Sequence, residues 1–379
     1  MAPKDTAPPH DLAWIKQALQ SAIELEYATL PIYLSAMFSL EVQNYTAYNT
    51  IRSVAMEEMV HMAIAGNMLA ALGGSPQIKN IHIAFPVKGL PGGAEPDLQV
   101  GLAQYSKNQL KNFLRIEMPQ SLLSCMGRNE TYPTIAAFYK TIKKAIIDNA
   151  DAVRAAVNAG GPSNQVGDDI GFTTIKPMPN VDPVESLCAA IDEILEQGEG
   201  AASGDLITTS SYESEESHYA KFASLYYGAQ YQEPNPTVRL TPKTEHEFFK
   251  GRLIGWPNVV NTLAVPADGY AAILKLDPNA AAVTKDLTAF DNAFSSVLAA
   301  LDAAWNGPAA VSWKTLGGAV HSMVDLRVLS CFNILRYEIP ADIVAKLPEL
   351  YPDEIDRLKH YTDLAEPVFY GPRFVNTNT

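Results

Sequence analysis

Leu25-Glu26-Tyr27-Ala28-Thr29-Leu30-Pro31-Ile32-Tyr33 and Met56-Glu57-Glu58-Met59-Val60-His61 decide how this chain folds, because each sets an acid inside an apolar stripe. Around the first, residues seven apart read Leu12, Leu19, Glu26, Tyr33 and Leu40, and Ile15, Ile23, Leu30 and Met37 widen the same face. Side chains at this spacing share one side of a helix. Glu26 therefore points into a core, while Glu24 falls with Gln17, Gln20 and Ser21 on the polar side. In the second, the stripe is Ile51, Val54, Ala55, Glu58, His61, Met62, Ala65, Leu69 and Leu72. Glu58 and His61 lie one turn apart on it, and Glu57 falls off it. A carboxylate in a core is unstable alone and needs a partner, a proton or a metal.

A third stripe repeats the pattern: Tyr212, Glu215, His218, Tyr219, Phe222 and Leu225 place Glu215 and His218 three apart. One Glu-x-x-His is an ordinary surface pair more often than a ligand set. Two of them, each in an apolar stripe and preceded by a core glutamate on another helix, describe a carboxylate-bridged four-helix bundle. Such a bundle takes one Glu from each of two helices and Glu-x-x-His from each of the other two. Carboxylates bridge two cations, imidazoles add a nitrogen to each, and the cations offset the buried charge. The remaining glutamate has two candidates. Glu117 follows Leu110, Phe113 and Leu114 at helical spacing, and Glu199 follows Cys188, Ile191 and Leu195. Chain order favours Glu117. A hairpin of helices 184–198 and 210–228 would set Glu199 beside Glu215, and both glutamates stay in the ligand set.

Periodicity and Gly/Pro punctuation give the frame. Helices are predicted at residues 12–40, with Asp11 as N-cap, and at 45–72, ended by Gly73-Gly74-Ser75-Pro76. A crossover with a short strand at 81–85 leads to helices at 108–126, kinked at Pro119, and at 134–158. After a loop at 159–183 come helices at 184–198 and 210–228, then a proline-rich loop at 229–285. The last helices are predicted at 286–305, 315–335, 340–347 and 352–365. The expected class is all-α: residues 1–230 form a dimetal four-helix bundle with inserted helices, and 231–379 form a loop-rich, helical part packed on it.

Composition narrows the function. Hydrophobic residues make up 47% and charged residues 18% of 379, which suits a large packed core. A net charge of −14 repels phosphate backbones and anionic lipid, so neither nucleic acid nor membrane is expected as a partner. The first residues lack the pattern of a secretory signal, and Cys125, Cys188 and Cys331 read as buried free thiols, which together point to the cytoplasm. His10, His82, His246, His321 and His360 stand alone and are discounted as ligands.

Glu26 followed seven residues later by Tyr33, and the Glu57-Glu58-x-x-His61 segment, resemble the first two helices of ferritins. Those segments, Ile116-Glu117-x-Pro119, Thr134 through Tyr139, Gln197-Gly198-Glu199-Gly200 and Ser217-His218-Tyr219 are together similar to the ferritin-like family that includes the iminophenyl-pyruvate dimer synthases. Trp256-Pro257-Asn258 and Phe290 through Met323 also look like its C-terminal helical part; Ala136-Ala137 departs from it, where the family often has Gly-Glu. The resemblance implies a ferritin-like bundle with two metal ions, iron before manganese, and O2 as co-substrate. It implies oxidation of a small amino-acid-derived imine or 2-oxo acid in secondary metabolism. The expected ligands are Glu26, Glu58, His61, Glu117, Glu199, Glu215 and His218, with Tyr33 and Tyr219 close enough to take part in the chemistry. An acidic chain must supply a local cation for a carboxylate substrate, and Arg115 and Arg52 are the candidates. Iron storage without an organic substrate is the alternative function. The assembly expected is a monomer or a small homo-oligomer rather than a cage.

Overall fold

The computed structural model describes residues 10–41, 45–119, 122, 132–161, 163–167, 181–199, 215–235, 237–309 and 312–378, with backbone alone at Glu199 and Trp313. Cys125 and Tyr212 lie outside the described residues; Cys188 and Cys331 are free and half-buried rather than fully buried.

Two long helices, α1 (Leu12–Phe38) and α2 (Tyr45–Ala71), pack side by side. Asp11 caps α1 by accepting from the Trp14 N–H at 2.9 Å, as expected of an aspartate ahead of an apolar stripe. From Leu25 to Leu40 every residue is buried, so this half of α1 runs through the middle of the molecule. Gly73 closes α2 with φ of +80°, donating to the Ala70 carbonyl while Gly74 donates to Leu69, both at 2.9 Å. This left-handed stop favours glycine because it lacks a Cβ.

The other two bundle positions are each filled by two shorter helices. α3 (Lys107–Ile116) and α4 (Ile135–Asp148) lie against α1; α6 (Pro183–Glu199) and α7 (His218–Tyr227) lie against α2. α3 packs on α7 and α4 on α6, the pairing of two antiparallel strands of helix each interrupted midway. α5 (Ala150–Ala159) follows α4 after a break at Asn149 and packs on α6.

Several boundaries differ from the sequence expectation. α3 stops at Ile116, three residues before Pro119, because the residue ahead of a proline is pushed out of helical geometry and Glu117 already leaves it, with ψ of +12°. The stretch 81–85 forms no strand; instead β1 (Val87–Lys88) pairs antiparallel with β2 (Gln99–Val100). α6 and α7 are not a hairpin packed on each other along their length, since each takes its main partner from α4 and α3. α7 begins at His218 rather than near 210, because Ser217 caps it, its hydroxyl accepting from the Ala220 N–H at 3.3 Å.

After a short α8 (Ala271–Leu274), α9 (Ala280–Asn306) and α10 (Ser312–Phe332) form a hairpin on the outside of the bundle. Trp305 of α9 is fully buried over Gly66, where a Cβ would stand 2.8 Å from its ring. Its indole N–H donates at 3.0 Å to Asn67 Oδ1, which also accepts from the Val166 N–H at 2.9 Å. The bland-looking Gly66-Asn67 pair of α2 thus docks both the C-terminal hairpin and the 163–167 segment. Among the described residues, no helix is long and apolar enough to cross a membrane.

Candidate metal centre

Five chelating side chains meet inside the bundle: Glu26 from α1, Glu58 and His61 from α2, Glu117 from the end of α3, and His218 from the first turn of α7. None is more than 8% exposed. The ligand atoms of Glu58, His61 and His218 all lie within 4.8 Å of one another. Glu58 is the hub: its Oε1 is 2.8 Å from His218 Nδ1 and 3.7 Å from His61 Nδ1, and the Thr29 hydroxyl lies 3.2 Å from its Oε2. Glu117 Oε2 is 3.6 Å from the same His218 nitrogen. The two imidazoles face each other at 5.2 Å between ring centres.

The far side of each imidazole is held by a residue that helical periodicity does not single out. His218 Nε2 donates to Glu57 Oε2 at 2.9 Å, and Lys221 grips both Glu57 oxygens at 2.7 and 2.8 Å. His61 Nε2 donates to Gln197 Oε1 at 2.8 Å. With Nε2 occupied as a donor, each neutral ring presents its Nδ1 lone pair to the centre. His218 Nδ1 is fully buried, with Glu58 Oε1 2.8 Å away. A buried imidazole nitrogen set between two carboxylates is a position that a cation takes in exchange for a proton, so the residues fit a metal.

The charges say the same. Burial and the neighbouring Glu58 push the Glu26 carboxyl well above the carboxylate range, and burial followed by Glu58 raises Glu117. Burial would raise Glu58 too, but the His218 imidazole holds it down at about 2. His218, which burial alone would discharge, is raised well above its usual value by Glu117, Glu57 and Glu58. Burial lowers His61. Each of these upward shifts favours the protonated form, and a cation bound at the centre would take the place of those protons.

Two tyrosines complete the cluster. Tyr33 donates to Glu117 Oε1 and Tyr139, from α4, donates to Glu26 Oε1; both rings are fully buried. Burial, then the adjacent carboxylates, raises both phenols well above their usual value and keeps them protonated. Tyr139 is a functional candidate that the sequence does not reveal, since an uncharged residue in the stripe Phe138, Ile142, Ala145 gives no anomaly to notice. A cavity of about 30 Å³ opens beside it, touching Glu117, Ile135, Leu195 and Gly198 at the level of the helix breaks.

Two expected residues, Glu215 and Tyr219, do not join the cluster. Glu215 lies ahead of the capped start of α7, exposed, and pairs with Lys221 at 3.5 Å. Tyr219 is buried but turns its hydroxyl to Glu245, because one residue along a helix is about 100° around from His218. The Glu199 side chain lies outside the described residues. Of the two arginines considered for a substrate clamp, Arg115 pairs with buried Glu95 at 2.9 Å, and Arg52 lies exposed on the opposite face of α2.

The family model described as Ferritin-like matches residues 19–227, the span from α1 through α7. The chain belongs to the Ferritin-like family. It is also similar to the crystal structure of a ferritin-like protein from Caulobacter vibrioides, with a TM-score of 0.59 and 18% identity, over 86% of this chain and 96% of that one. At that identity the likeness is one of fold. No curated protein matches the sequence.

Proposed function

We propose that the cluster holds two metal ions, iron in the first place, and that the protein is an O2-using oxidase or oxygenase of a small organic molecule. The observation that carries this reading is the pair of buried phenols, Tyr33 and Tyr139, each donating to a cluster carboxylate, with Tyr139 and Glu117 lining the small cavity at the helix breaks. Two iron ions, once held there, would supply the electrons for reduction of O2. Glu26, Glu58 and Glu117 provide oxygen ligands, and His61 and His218 provide Nδ1 atoms fixed by Gln197 and Glu57. Tyr33 and Tyr139 hold protons at Glu117 Oε1 and Glu26 Oε1, within the set of ligands and available to chemistry there. The packed apolar wall around them excludes bulk water. The substrate class taken from the resemblance is an amino-acid-derived imine or 2-oxo acid, with chemistry like that of the iminophenyl-pyruvate dimer synthases.

The test is O2 uptake by iron-loaded, anaerobically reduced protein, measured with an electrode with and without candidate imines. Uptake that turns over only with an imine present, and slows about a hundredfold or more in Tyr139→Phe, is the expected result, in line with the usual size of a proton-transfer contribution. Uptake that tracks added ferrous iron alone, with many irons retained per chain, would replace this reading with storage.

A further inference from the structure

On the face of α2 turned away from the cluster, α1, α2 and α10 enclose a groove of about 410 Å³. Arg52, Met56 and Met59 of α2 line it from a face turned away from Glu58 and His61, with Ala55 at the border between the two. Its apolar surface is rich in thioethers: Met37, Met56, Met59 and Met323. It is open at the rim, where Met56 and Val324 are 38% and 55% exposed.

The charge of this groove opposes that of the chain. In a protein of net charge −14, its lining includes Arg52, Arg327 and His321 and no aspartate or glutamate. Among the described residues neither guanidinium has a carboxylate within ion-pair distance. Arg327 is held in place by its neighbours, its guanidinium 4.7 Å from the Tyr48 ring centre with Cys331 as a further contact. A fixed guanidinium offers parallel N–H donors that match a carboxylate, and methionines adapt to apolar bodies of varied shape. The volume falls within the roughly 300–1,000 Å³ of small-molecule sites.

We infer that the α1–α2–α10 groove is a binding site for a small amphipathic carboxylate, its anionic end between Arg52 and Arg327 and its apolar body along the methionines. This site is separate from the metal centre and does not depend on the function proposed for it.

Decanoate, below its micellar concentration, is a suitable probe, with decanol and decylammonium as comparisons. The full chain labelled with ¹³C-methyl methionine reports binding directly. Decanoate should shift the methyls of Met37, Met56, Met59 and Met323 and leave Met68, deep in α2, unmoved. It should bind at least about tenfold tighter than decanol or decylammonium, as expected of a charge-assisted contact. Arg52→Gln combined with Arg327→Gln should erase that advantage while leaving decanol binding unchanged. The comparison of the three ligands uses wild-type protein and so stands even if the double variant folds poorly. No groove shift with decanoate at millimolar concentration, or equal affinity for all three ligands, would overturn the proposal. Groove shifts that follow protein concentration without ligand would overturn it too, by assigning the face to a second copy of the chain.

Discussion

Two of the four bundle positions are filled by unbroken helices of 27 residues each, and two by pairs of shorter helices that stop near the cluster. The unbroken pair, α1 and α2, delivers Glu26, Glu58 and His61 from helix interiors, where the backbone hydrogen bonds are already made and only the side chains are free to chelate. The interrupted pair delivers Glu117 from the C-cap of α3 and His218 from the first residue of α7. There the backbone is released from regular helix, and the cavity beside Tyr139 opens at the same level. The division teaches that rigidity comes from one half of the bundle and access from the other. The broken half is held close to the cluster by local devices: the Ser217 cap one residue before His218, and the Lys221–Glu57 pair that clamps His218 across to α2.

The largest effect expected is on the continuous side. Glu58 is the group nearest both imidazoles, and without it two histidines and two further carboxylates face each other with no shared centre. Glu58→Ala should drop metal from about two ions per chain to near none, measured by plasma mass spectrometry, while circular dichroism shows α1 and α2 intact. Metal retained at the wild-type level would remove Glu58 from the site.

The interrupted side should be sensitive one step further out. Glu57→Ala frees His218 Nε2 and leaves Lys221 to exposed Glu215, and should weaken metal binding about 10- to 100-fold, the usual effect of losing a histidine's supporting carboxylate. Gln197→Ala, which frees His61 on the continuous helix, should do less, because a neutral amide is the weaker acceptor and α2 holds His61 from both sides along the chain. Competition with a chromophoric chelator measures both. Equal losses would erase the contrast drawn between the two halves.

A smaller effect separates the two kinds of cap. Ser217→Ala and Asp11→Ala each remove a side-chain acceptor from a helix start, and each should lower stability by about 1 kcal/mol in urea unfolding. Only Ser217→Ala should also loosen the metal, since it frays the turn that carries His218. Metal affinity unchanged in both variants would show that the start of α7 is held by packing alone.

The same division explains how much of the site is legible in the sequence. α1 and α2 run long enough for their periodicity to be read, so Glu26, Glu58 and His61 stand out as acids and a base in apolar faces. Glu215 is misplaced by periodicity because the stripe from Tyr212 to Leu225 continues smoothly through Ser217, whose cap decides where the helix begins and leaves no trace in hydrophobic spacing. α6 and α7 do touch, but each of these helices finds its main partner on the other interrupted side, α4 and α3, a pairing that spacing along the chain does not show. Glu57 does lie off the stripe of α2, yet it reaches His218 on another helix, a relation that periodicity along one helix cannot show. Tyr139 is hidden among apolar residues until the fold sets its hydroxyl against Glu26.

The central claim is that these buried acids and imidazoles form one dinuclear centre approached through Nδ1. A crystal of the iron-loaded protein, measured on both sides of the iron absorption edge, tests it directly. Two anomalous peaks should appear among Glu26, Glu58 and Glu117, each beside the Nδ1 atom of His61 or His218, with Nε2 still turned to Gln197 and Glu57. Peaks elsewhere, or iron bound through Nε2 with those hydrogen bonds broken, would contradict the account.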